Sequence, residues 1–119
     1  MAVSHFSEIG YKRGVGGTVT QITSASTAVT LNKPCGQITT VALTTAAAAE
    51  EAFVVNNSFV TAKDVVVLNT TYAGGGKPFL SVSNVGAGVF TVNISNVHAS
   101  AALDAALTVN FAVLKVVTD

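Results

Sequence analysis

A few residue groups in this chain have types that could do chemistry. Gly74-Gly75-Gly76-Lys77 suggests a phosphate loop, in which backbone N–H groups and a lysine would cradle a polyphosphate. The motif's first glycine and the Ser or Thr after the lysine are missing, and Pro78 stands where a helix must begin. Gly14-Val15-Gly16-Gly17 precedes an extended stretch instead of following one, so it fails as a dinucleotide fingerprint and reads as a hinge. His5, His98 and Cys35 are metal-ligand types, but no pair has the close spacing of metal sites. Glu50 and Glu51 are neighbours, which puts their carboxylates on opposite faces of a strand and spoils an acid–base pair. Asp64 and Asp104 read as turn or cap residues. Glycosylation-type triplets begin at Asn56, Asn69 and Asn93, as chance produces in a chain rich in Thr and Asn. No catalytic set, metal site or cofactor site emerges, and the expectation is a protein that is not an enzyme.

The elements that would carry any site are strands. From Leu107 to Val113 the chain alternates, with Leu107, Val109, Phe111 and Val113 on one face and Thr108, Asn110 and Ala112 on the other. Beyond Val113, Leu114 and Val116 load the second face with apolar groups, which predicts cover by a second sheet or another subunit. Upstream, strands are expected over 18–23, 28–31 and 37–43, with Ser24 to Thr27 as one turn and Asn32 to Gly36 as another. Thr44 to Glu51 is helix-like but about two turns long, too short to stand alone, and reads as a connection. A strand over 51–60 is expected to bend at Asn56-Asn57-Ser58. Val65 to Leu68 is a continuous apolar run, which predicts cover on both faces. Tyr72 to Pro78 reads as the longest flexible loop. Phe79 to Val85 and Val89 to Ser95 form a hairpin through Gly86-Ala87-Gly88, with Phe90, Val92 and Ile94 inward.

This pattern predicts an all-β fold: a single β-sandwich, immunoglobulin-like or jelly-roll, over residues 18–119. Residues 1–17 are an N-terminal arm and Gly-rich hinge. Phe6, Ile9, Tyr11, Lys12 and Arg13 are either a frayed terminus or an arm that orders on a partner. Charged residues are 10% of the chain against ~25% in typical soluble domains. The net charge of zero weakens the self-repulsion that keeps copies apart. A homo-oligomer follows, trimer favoured and dimer possible, with Leu114 and Val116 at its interface. Clustered Lys and Arg are lacking, so nucleic acid is not an expected partner. No apolar run is long enough for a membrane helix, and no signal-peptide pattern opens the chain, which predicts folding in a cytoplasm. Cys35, the only cysteine, reads as a buried or half-buried turn residue without redox or ligand role.

Gly16-Gly17-Thr18-Val19-Thr20-Gln21, Val29 to Lys33, Gly36 to Thr39 and Asn110 to Lys115 resemble a module of small virion proteins of tailed bacteriophages. The likeness covers about residues 16–117 and departs from the family at Glu50-Glu51 and Tyr72 to Pro78. It implies a structural role on the virion, as a capsid decoration (cement) protein bound to the major capsid protein. The alternative it implies is a tail-fibre or head-fibre module touching host surface glycans.

Overall fold

A computed structural model describes residues 10–119. They form eight strands: β1 (Gly17–Thr20), β2 (Val29–Thr30), β3 (Cys35–Thr39), β4 (Glu50–Asn56), β5 (Val65–Thr71), β6 (Pro78–Gly86), β7 (Val89–Asn96) and β8 (Thr108–Leu114). Sheet A has the order β1-β3-β8-β5 and sheet B the order β2-β4-β7-β6. The β1–β3 and β2–β4 pairs are parallel, and the other pairs are antiparallel. β1 packs over β2 and β5 over β6, so the two sheets form the single all-β sandwich that the strand spacing predicts.

The core lies between the sheets, and alternation decides which side chains enter it. Phe90, Val92 and Ile94 of β7 and Val109, Phe111 and Val113 of β8 are all buried, as their spacing predicts. Phe90 and Phe111 meet across the core with ring centroids 5.6 Å apart and planes tilted by 55°. The β6–β7 hairpin is as expected, closed at the Gly86–Val89 pair, with Gly88 at φ +81° in the turn. Its irregularity lies in β6, where the register shifts between Ser83 and Gly86 and Asn84 takes φ +52°.

Several expectations need correction. Thr44 to Ala49 is a connection as expected, with Ala46 to Ala49 in a turn and Ala48 at φ +63°, but the connection ends earlier than Glu51, because Glu50 already opens β4. β4 ends at Asn56, so Asn56 to Ser58 is no bend inside a strand. The Val65 to Leu68 run alternates, with Val66 buried but Val65 and Val67 about half exposed, because β5 is an edge strand without cover on its outer face. Cys35 is half-buried as expected, but it starts β3 instead of sitting in a turn. The Tyr72 to Pro78 loop is pinned: the Tyr72 hydroxyl donates to the Gly75 carbonyl, and Gly75 N donates to Asp104 at 2.6 Å.

Among the described residues six polar ones are buried: Gln21, Thr40, Thr45, Asn57, Asp64 and Asn96. Each stands two positions from an inward apolar residue, namely Val19, Ile38, Leu43, Val55, Val66 and Ile94, and so continues the inward parity past the apolar stretch. At these ends the backbone stops pairing in the ladder, and its groups need other partners. Gln21 donates to the carbonyls of Ala25 and Thr27 and accepts from Val41 N. The Thr40 hydroxyl accepts from Leu107 N at 2.9 Å and donates to the Val41 carbonyl. Thr45 differs, since its hydroxyl has no partner among the described residues.

Asp64 is the charged member of this set. Its Oδ2 accepts from Lys115 Nζ at 2.5 Å and from Thr61 N at 2.8 Å, while Val116 N reaches Oδ1 at 3.4 Å. Lys115 above all, helped by these N–H donors, lowers the carboxyl pKa from 3.8 to about 2. Because the folded value lies below the unfolded one, the clamp contributes fully above about pH 4 and is lost as pH falls toward 2. Unfolding midpoints taken across that acid window should fall for the wild type and stay flatter for Asp64→Asn. Equal slopes for the two proteins would show that the clamp adds nothing.

Candidate functional site

Charge is almost absent from the strands. Among the described residues only β4 contains charged side chains, Glu50 and Glu51, and every other described acid and base lies outside the strands. The outer face of sheet A is the largest result of this, since no charged side chain stands on any of its four strands.

Register places the residues of that face in rows. Thr20, Thr39, Thr108 and Thr71 form a hydroxyl row across β1, β3, β8 and β5. Thr18, Gln37, Asn110 and Asn69 form the next row. Within it Gln37 Nε2 donates to Asn110 Oδ1 at 2.8 Å, and Asn110 Nδ2 donates to Asn69 Oδ1 at 3.4 Å. Cys35, Ala112 and Val67 follow, then Leu114 beside Val65. The face thus grades from hydroxyls through amides to aliphatic groups. A shallow depression of about 350 Å³ lies where the amide and aliphatic rows meet, between Val67 and Asn69 of β5 and Asn110 and Ala112 of β8. Such a surface can bury apolar area and exchange neutral hydrogen bonds with a protein. No aromatic ring, carboxylate pair or metal-ligand cluster stands on it, and no group of three His, Cys, Asp or Glu side chains occurs among the described residues.

The predicted site residues are distributed as follows. Phe6 and Ile9 lie outside the described residues. Lys12 and Arg13 are exposed. Tyr11 is bound to the sandwich itself, its hydroxyl donating to the Val113 carbonyl at 2.6 Å. The cause is Pro34. Val113 N donates to the Pro34 carbonyl at 2.8 Å, and an antiparallel pair of this kind would return a bond from residue 34 to the Val113 carbonyl. Proline has no N–H to give, and the tyrosine supplies the missing donor. Tyr11→Phe should cost about 1 kcal/mol of stability by orphaning that carbonyl. Urea titration of the variant checks this, and an unchanged midpoint would mean that water replaces the hydroxyl.

Leu114 belongs to the outer face, beside Val65. Val116 lies past the end of β8, half-buried, with its N–H on Asp64, so the two predicted interface residues do not form one patch on a strand. Sequence reasoning missed Val65 and Val67 as surface residues. It also missed the amide ladder, whose signal was present in the outward positions of Gln37, Asn69 and Asn110. No helix among the described residues is long and apolar enough to cross a membrane.

Fold and face together define a class, a charge-poor β-sandwich with one neutral outer face. Set against known proteins, the chain matches no family model, no curated protein and no solved structure.

Proposed function

We propose that this chain is a virion structural protein, a capsid decoration (cement) protein that binds the major capsid protein on the outside of the particle. The observation that carries this reading is the absence of charge from all four strands of sheet A. A neutral face of this breadth suits permanent packing against protein, and many copies each adding a modest contact sum to a large resistance against bursting. The resemblance to small virion proteins adds to it. Phe6, Ile9, Tyr11, Lys12 and Arg13 form the capsid-binding arm in this reading, with the exposed Lys12 and Arg13 pairing with acidic capsid groups and Tyr11 tying the arm to β8. The glycan-binding fibre alternative rests on the Tyr72 to Lys77 loop. That loop spends its Tyr72 hydroxyl and the Asp104 carboxylate on its own backbone, which leaves it little to offer a sugar.

Lys12→Glu with Arg13→Glu tests the arm, since both side chains are exposed and the fold does not depend on them. Decoration of undecorated capsids by that double variant should fall at least about tenfold, equivalent to about 1.4 kcal/mol. Full decoration would move the binding face to the sandwich. Densitometry of purified virions separates the two functional readings, because a cement protein is present in far more copies than a fibre module.

A further inference from the structure

Each sheet has two edges, and three of the four edge strands are blunted. β2 has two residues. β1 has four and begins at a glycine. β6 begins at Pro78 and is broken by its bulge at Ser83 to Gly86. β5 has none of these protections. It runs seven residues, Val-Val-Val-Leu-Asn-Thr-Thr, without proline, glycine or charge, and its register against β8 is unbroken. A long, neutral, β-branched edge is a template for another strand.

We propose that two copies of this chain pair through β5, antiparallel about a two-fold axis at Leu68, so that sheet A runs continuously through both. Residues of β8 alternate in the side toward which they bond. Val113 bonds toward β3, through Pro34, so Ala112 and Asn110 bond toward β5, to Val67 and Asn69. Val66, Leu68 and Thr70 therefore turn their N–H and C=O groups to the free edge, and no other backbone partner takes those groups among the described residues. Pairing Leu68 with Leu68 of the second copy, and Val66 with Thr70 of the second copy, uses every one of these groups.

Charge favours the same register. Lys63 precedes β5 and is exposed, with no ion pair among the described residues. Asp104 is exposed at the opposite end, held beside the residues that follow β5: a Cβ on Gly74 would lie 2.4 Å from its Oδ1. Antiparallel pairing about Leu68 sets residue 63 of one copy opposite residue 73 of the other. Each Lys63 then meets the other copy's Asp104, and symmetry makes the contact twice. The aliphatic rows also join, because Val67 of each copy comes diagonal to Val67 of the other.

This gives a mode to the self-association expected of a charge-poor virion protein, and its test needs no virion. Sedimentation equilibrium of the full chain at micromolar concentration should show a dimer. Val67→Asp, altering a half-exposed side chain, should raise the dissociation constant at least about tenfold while the unfolding midpoint of the monomer changes little. Lys63→Glu and Asp104→Lys should each weaken self-association, whereas their equimolar mixture should form heterodimers, since every 63–104 contact then joins opposite signs. A monomeric wild type, or an oligomer that Val67→Asp leaves intact, overturns the proposal. If Asp104→Lys does not fold, Val67→Asp decides alone.

Discussion

Asn96→Ala should lower the stability of the chain by about 4 kcal/mol, at roughly one per hydrogen bond lost. The side chain is 1% exposed and uses its full bonding capacity. Its Nδ2 donates to the Thr45 carbonyl at 3.1 Å and the Ala101 carbonyl at 2.8 Å. Its Oδ1 accepts from Lys77 N and His98 N, each at 3.1 Å. One amide thus holds three connecting segments, those before β4, before β6 and before β8, at one end of the sandwich. Alanine leaves the Ala101 carbonyl and two N–H groups without partners, takes one of two donors from the Thr45 carbonyl, which keeps Leu103 N, and opens a void. Asn96→Asp should be no milder, because it would turn a second acceptor toward the two carbonyls. Asn93→Ala supplies the control: its residue is on the same strand but faces outward, where it donates to Ser83 Oγ at 3.0 Å, and the loss should stay below about 1 kcal/mol. Denaturant titrations of the variants decide the matter, and similar losses at the two positions would show that the network carries no special weight.

The contrast between Asn93 and Asn96 shows what was legible in the sequence. Phe90, Val92 and Ile94 fix the inward parity of β7, and Asn96 lies in phase with them, so its burial follows from counting by twos. The same count leads from Val55 to Asn57, which is 1% exposed. Asn57 donates to the carbonyls of Leu31 at 2.9 Å and Lys33 at 2.6 Å, and accepts from Phe59 N at 2.8 Å. Read by composition alone, such residues belong to polar connections, and their role as staples disappears. The strands themselves were legible because alternation is a local property. The order of the strands was not, since the parallel pairing of β1 with β3 and of β2 with β4 depends on which connections cross from sheet to sheet. Without that order, the rows of Thr, amide and aliphatic side chains on sheet A cannot be assembled, although each row member was correctly assigned outward in β8. The apolar run of Val65 to Leu68 failed for a related reason: periodicity cannot tell a doubly covered strand from an edge strand that keeps its second face bare.

Gly36→Ala should cost about 3 kcal/mol, at the upper end of the usual range for overpacking. Turn chemistry, the ordinary reason for a glycine after Asn-Lys-Pro-Cys, does not apply, because Gly36 lies within β3 and is not among the residues at positive φ. What it requires is closeness. Its position points inward, between outward Cys35 and Gln37, and an added Cβ would stand 2.4 Å from the Gly17 carbonyl oxygen and 2.9 Å from Leu31 Cδ2. The first of these is backbone of the paired strand β1, which has no rotamer with which to yield. Gly17→Ala is the comparison that isolates this cause. Its Cβ would meet Leu31 Cδ1 and Lys33 Cγ, each at 3.0 Å, and these are side-chain atoms able to turn aside. Gly17→Ala should therefore cost about 1 kcal/mol or less, well under the loss at Gly36. Hydrogen exchange would locate the damage, because Gln21 N bonds to the Thr39 carbonyl and alternation turns Val19 N to β3 as well, so a displaced β1 must expose the amides of Val19 and Gln21 while those of β4 and β7 stay protected. If Gly36→Ala keeps β1 protected and loses no more than Gly17→Ala, the backbone approach between β1 and β3 is looser than these distances state, and the glycine is there for another reason.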